Sequence, residues 1–163
     1  VIHPKTIQPL KNKKIPLYVK SFLDPSKPGT VVMENDNFAL NDIQCYIVKE
    51  YQSMVTIATK DFSFIVEDNL ELIFSALNKA GIQLNMMQNS AISFIGCYNE
   101  DTLKTEELFA LLADKFEVSL AKDNTLLTVF NYNDGKSELD LIIGLRRIRL
   151  EQKSNSALQL LLN

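Results

Sequence analysis

The sequence predicts an α+β fold built from two βαββαβ units, each an antiparallel sheet with its helices on one face, the second unit incomplete. Three observations predict it. Short apolar runs alternate inward and outward residues with the period of strands, and two intervening segments carry apolar residues at helical spacing. The pattern then begins again near Thr125, which marks an internal repeat.

Residues 1–36 differ in character from the remainder of the chain. They contain all five of its prolines, Pro4, Pro9, Pro16, Pro25 and Pro28. Proline lacks an amide donor, and this density does not suit a free-standing domain. Thr6 to Lys11 is expected as a short helix, and Ile15 to Phe22 as a strand with Ile15, Leu17 and Val19 on one side. Asp24 to Gly29 is a turn-rich loop, and Glu34 to Asn37 a polar linker. The segment looks like the tail of something larger.

Residues 43–122 form the first unit. Ile43 to Val48 and Met54 to Thr59 are expected as two strands joined tightly at Glu50-Tyr51. A helix comes next, with Asp68 as N-cap and Glu71 three residues on. Its apolar stripe is Leu70, Ile73, Phe74 and Leu77, and Gly81 ends it. Ile82 to Met87 and Ala91 to Tyr98 are strands around the turn Gln88-Asn89-Ser90. A second helix from about Thr102 to Lys115 buries Leu108, Leu111 and Leu112, and Phe116, Val118 and Leu120 close the sheet.

Residues 123–163 form the partial second unit. Met54-Val55-Thr56-Ile57 is echoed by Leu126-Leu127-Thr128-Val129, and the polar run at Gln88 by one at Gln152. The copy is shorter across its first helix, placed at Lys136 to Leu145, and it has no second helix. Residues 43–49 are available to complete its sheet.

Composition excludes several classes. Apolar residues at 46% and charged residues at 23% describe a folded chain, not a disordered one. A net charge of −3 supplies no field for nucleic acid. The basic runs Lys11-Asn12-Lys13-Lys14 and Arg146-Arg147-Ile148-Arg149 read as solvated faces. Cys45 and Cys97 lie in apolar runs and are expected reduced and buried, which points to the cytoplasm. No apolar stretch reaches the roughly 18–20 residues of a membrane span, and the first residues are not a signal peptide. Lacking an initiator Met, the chain is expected to begin partway through a longer protein.

Three blocks in order carry a resemblance: Val1-Ile2-His3-Pro4-Lys5-Thr6-Ile7-Gln8-Pro9-Leu10, then Ile15-Pro16-Leu17-Tyr18-Val19, then Asp24-Pro25 with Pro28-Gly29-Thr30. They resemble the end of the catalytic domain of aspartate kinases, and the next hundred or so residues are similar to that family's ACT region in element order. The resemblance implies ferredoxin-like ACT units. It implies a parent that moves the γ-phosphoryl of ATP, with Mg²⁺, to the side chain of L-aspartate. The nucleotide- and aspartate-binding segments of the family lie upstream of Val1. The fragment is therefore expected to have no catalytic residue, metal or cofactor of its own, and to be inactive as a kinase. His3 is expected to be a packing residue of the missing catalytic domain.

The same resemblance implies an amino-acid effector between two units, held by the segments 62–70 and 85–91. The expected residues are Phe62, Ser63, Asp68, Asn69, Leu70, Asn85, Met86, Asn89 and Ser90. A helix N-terminus suits the effector's carboxylate, and side-chain oxygens suit its ammonium groups. The chain departs from the lysine-sensing pattern at Asp68-Asn69-Leu70 and at Asn85, where an acid is usual. Lysine is the first expected effector and threonine the second. The plainer alternative makes Asp68 a simple cap, and Asn85 and Asn89 turn residues. Met86-Met87 is expected in the core. A homodimer is expected through the ACT units, with Val118 and Leu120, or Ile92 and Phe94, continuing a sheet across the contact. A dimerisation module that no longer senses, and a free-standing ACT regulator, are the competing functions.

Overall fold

A computed structural model describes residues 2–34, 44–132 and 139–163. The chain divides into two compact units, Val1–Asp42 and Ile43–Asn163.

In the first, helix α1 (Pro4–Asn12) is capped by His3, whose Nδ1 accepts from the Lys5 amide at 3.2 Å. Its imidazole thus serves as a helix cap and is exposed in this chain. Strands β1 (Leu17–Val19) and β2 (Thr30–Val32) pair antiparallel, Leu17 opposite Val32. The strand is shorter than the expected run to Phe22, because the chain turns away beyond Lys20 into the Asp24 loop, where Asp24 accepts from Ser26. Gly29 returns the chain at φ +72°; a Cβ there would collide with the Val19 carbonyl, so only glycine fits. Phe22 and Leu23 are almost wholly exposed.

The second unit is one six-stranded antiparallel sheet with helices. In chain order it contains β3 (Cys45–Thr59), α2 (Glu67–Lys79), β4 (Leu84–Asn89), β5 (Ser93–Asn99) and α3 (Thr102–Leu112). Then come β6 (Phe116–Phe130), α4 (Leu139–Ile143), β7 (Ile148–Lys153) and β8 (Ala157–Leu162). The strand order is β4-β5-β3-β6-β8-β7.

The two strands expected at 43–59 are a single strand. Its halves pair with the two halves of β6, and the register shifts between Lys49 and Met54. Glu50-Tyr51 is therefore a bulge and not a turn, with Tyr51 at φ +54°. Strand β6 is likewise continuous, with Asp123 at φ +57° beside the matching irregularity. The first ACT-like unit's four strands lie in the order β4-β5-β3-β6 and the second's in the order β7-β8-β6-β3, so β3 and β6 belong to both. Cys45 to Lys49 pair with Leu126 to Phe130 and supply the second one's fourth strand.

Helix α2 buries Ile73, Ala76 and Leu77, and α3 buries Thr105, Leu108 and Leu112, against Val55, Ile57 and Phe94 of the sheet. Phe74 is only half-buried and meets Phe94 edge to face at 5.6 Å. Leu111 is also partly exposed, because Leu108 and Leu112, one turn apart, take the inward face. The second ACT-like unit packs Leu127, Val129, Leu139, Leu158, Leu160 and Leu162 together. The expected helix at 136–145 is described from Leu139 and ends at Ile143; its first three residues lie outside the described residues.

A third cluster joins Met86 and Cys97 of the first ACT-like unit to Leu126, Leu150 and Leu161 of the second. The sheet is folded so that its non-helical faces meet, and Gln152 of β7 donates to the Met87 carbonyl of β4. Cys97 is buried as expected, but Cys45, at the open end of β3 opposite Phe130, is exposed. Met86 points into the fold and Met87 outward, by strand alternation. Strand β5 is paired on both sides, so Ile92-Phe94 offers no free edge. The first half of β6, with Val118 and Leu120, pairs with β3 alone, since β8 joins only from Thr125 onward; the outermost strands are β4 and β7. Among the described residues, no helix is long and apolar enough to cross a membrane.

Candidate functional site

The loop from β3 into α2 is shaped by its own side chains. Asp61 accepts from the Ser63 amide at 3.1 Å and from its hydroxyl at 2.7 Å, and Thr59 Oγ1 donates to the Ser63 carbonyl at 2.7 Å. The bonds from Ser63 hold the Asp61 carboxyl below its ordinary value. Phe62 adopts φ +60° and is 91% exposed. Ile65 is buried and anchors the loop, and its amide donates to the Ala91 carbonyl at 2.8 Å. That bond brings the α2 entrance to the turn between β4 and β5, which the Ser90 amide closes on the Ser93 carbonyl at 2.8 Å.

Helix α2 begins earlier than expected, with Val66 and not Asp68 at the N-cap. Valine has no oxygen to cap with, and the Oδ1 of Asn69 accepts from the Val66 amide at 3.1 Å instead. Asp68 is exposed beside Glu67 in the first turn. Free amides and the helix dipole suit a carboxylate here, while Asp68 and Glu67 suit an ammonium. The two together match a zwitterion. Phe62, Phe64, Val66 and Ile92 leave apolar surface uncovered around this point.

The structure therefore gathers the loop of Phe62 and Ser63, the first turn of Asp68 and Asn69, and the turn at Ser90. Leu70 packs partly into the helix-side core and Met86 into the core between the sheet faces. Asn85 lies elsewhere. It stands four residues before Asn89, about 13 Å along β4 at ~3.3 Å per residue. A groove of about 620 Å³ at that end is lined by Phe74 and Asn78 of α2, Asn85 and Met87 of β4, and Gln152 and Gln159 of β7 and β8.

Asn85 belongs to a polar cluster that the sequence did not announce. Its Nδ2 donates to Gln52 Oε1 at 2.8 Å and Asn99 Oδ1 at 2.9 Å, and its Oδ1 accepts from Lys49 Nζ at 2.7 Å. Gln52 is buried, and its Nε2 donates to the Glu50 carbonyl at 3.0 Å and to Asn99 at 3.2 Å. Cys97 Sγ lies 3.7 Å from Gln52 Oε1, and burial pushes its thiol up to about 11.

No family model matches the chain. Its sequence is similar to aspartokinase 1, chloroplastic, of Arabidopsis thaliana, 25% identical over 142 residues, 87% of this chain and 24% of that protein. The chain thus spans about a quarter of that relative's length. The structure of Escherichia coli aspartokinase III in complex with lysine and aspartate superposes with a TM-score of 0.72, at 22% identity, over 99% of this chain and 38% of that one. The regulatory subunit of aspartate kinase from Thermus flavus gives 0.53, at 13% identity, over 72% of this chain and 86% of that one. The chain's curated relatives are aspartokinases, and its fold is that of their regulatory ACT region.

Proposed function

We propose that this chain is the regulatory region of an aspartate kinase, whose ACT units bind an end-product amino acid and hold two copies together. The observation that supports it best is the junction of Ile65 with Ala91, which sets the open N-terminus of α2, with Asp68, beside the turn at Ser90. In the parent, ATP and L-aspartate would give 4-phospho-L-aspartate on segments outside this chain. This part contributes control. The expected effector is lysine or threonine, its carboxylate at the α2 amides and its α-ammonium at Asp68.

The position of Asn85 supports a site completed by a second copy. β4 is an outer strand, and antiparallel pairing of two β4 strands about Met86-Met87 sets Asn85 of one copy opposite Gln88-Asn89 of the other. Such pairing would use the edge groups flanking Met87, whose own carbonyl takes Gln152. The exposed Phe62, Phe64 and Ile92 would then be covered. The exposed Phe22 and Leu23 suit contact with the rest of the kinase. Effector binding that favours one arrangement of the pair would bias the attached enzyme.

A second reading, a dimerisation module without a ligand, is favoured by Asn69, which already caps its helix, and by Asn85, which already holds Lys49. Thermal-shift measurements with lysine, threonine and methionine, together with sedimentation, separate the two. Stabilisation of a dimer by at least one of them is expected. A dimer indifferent to all of them establishes the second reading, and a monomer indifferent to all defeats both.

A further inference from the structure

We infer that Lys49 is a built-in occupant of the cation position at Asn85, and that it makes the effector site refuse amino acids with a cationic side chain. The inference rests on the sensing site proposed above and narrows its ligand class.

The orientation of Asn85 is forced through a chain of donors. Gln52 Nε2 is aimed at two backbone carbonyls, Glu50 at 3.0 Å and Tyr51 at 3.4 Å, which cannot reverse. Its Oε1 must therefore face Asn85, whose Nδ2 donates to it at 2.8 Å and to Asn99 Oδ1 at 2.9 Å. The Asn85 oxygen is left pointing outward, and there the Lys49 ammonium meets it at 2.7 Å. Reversing the amide would set oxygen against oxygen at Gln52 and at Asn99. The cluster is thus an acceptor for one ammonium group, and the chain supplies that group from β3.

Lys49 is exposed, so its stem can swing aside. A ligand ammonium arriving at Asn85 would displace a charge-assisted bond and still lie near the displaced positive charge. A ligand with a hydroxyl or another neutral acceptor meets no such penalty, because Lys49 keeps Asn85 and has further N–H groups to donate. The class selected is an amino acid with an uncharged side chain, threonine over lysine.

Calorimetric titration of lysine and of threonine into the full chain, its Lys49→Met variant and its Lys49→Arg variant tests this. Lysine is expected to bind Lys49→Met about tenfold or more tighter than the unsubstituted chain. Lys49→Arg, which keeps the charge, should exclude lysine as the unsubstituted chain does. Equal lysine affinity in all three, or no gain in Lys49→Met, overturns the inference. The sensing reading is judged separately, on the unsubstituted chain. Lysine bound equally well with or without Lys49 refutes the occupant and leaves sensing intact. Lysine bound only by Lys49→Met, with threonine bound by neither, upholds the occupant and removes sensing from the native chain.

Discussion

Gln52 and Asn124 stand opposite each other on β3 and β6, 72 residues apart in sequence, and the Asn124 side chain donates to the Gln52 carbonyl at 3.1 Å. Both side chains are buried, and each residue comes directly after one at positive φ, Tyr51 or Asp123. The pair marks where one long strand pair passes from the first ACT-like unit to the second. The bulges there leave carbonyls out of the ladder, and an amide side chain supplies what the ladder cannot.

Asn124 Nδ2 also donates to the Ala121 carbonyl at 2.8 Å and the Lys122 carbonyl at 3.2 Å. Asn124→Ala should lower stability by about 2–3 kcal/mol, because it strips a buried site of its donor. Asn124→Asp should cost more, since an anion would face carbonyl oxygens. Urea denaturation measures both, and an unchanged midpoint for Asn124→Ala would show that the ladder satisfies itself.

The two cysteines should differ sharply. Cys45 is exposed and should react with a thiol reagent at neutral pH, while Cys97 stays silent until the chain unfolds. Burial raises the Cys97 thiol to about 11 from 9.0, so the folded state holds that proton more tightly than the unfolded chain. Its contribution is present in full below about pH 9 and is lost as pH rises towards 11. Cys97→Ala should flatten that alkaline decline. Labelling of both thiols at equal rates in the native protein would contradict the assignment.

Leu108 and Leu161 are both fully buried, but in different cores. Each change to Ala should cost about 2–5 kcal/mol. Leu161→Ala should in addition raise hydrogen exchange in β4 and β7, whose approach depends on the cluster between the sheet faces. Leu145→Ala, at a fully exposed position, should stay within about 0.5 kcal/mol. Equal exchange patterns for the two core variants would mean that the faces do not pack as a separate core.

Asp68→Asn separates capping from ligand binding. Since Asp68 is not the cap, the change should cost only about 0.3–1 kcal/mol through the helix dipole. If its carboxylate receives the effector's α-ammonium, affinity should fall about tenfold. A large stability loss with unaltered affinity would return Asp68 to the role of a structural residue.

Much of the fold was legible because its signals are local. The stripe from Leu70 to Leu77, the glycine at 81 and the alternation from Phe116 to Leu120 each report their own backbone, and they placed α2, α3 and the strands in the right order. The bulge at Glu50-Tyr51 was not legible, since a polar pair between two apolar runs is the same whether the chain turns or merely skips a residue. Only the partner strand decides, and β6 lies some seventy residues away. The cap at Val66 was missed for a related reason: the asparagine that replaces its function sits three residues on.

Residue order alone was enough to establish the type and succession of most elements and the repeat. Folding in three dimensions settled which strands lie at the edges, that β3 and β6 serve both ACT-like units, and that Asn85 answers to Lys49, Gln52 and Asn99. Period and propensity are properties of neighbours along the chain, whereas strand order and polar partnership depend on groups that meet only after the sheet has closed.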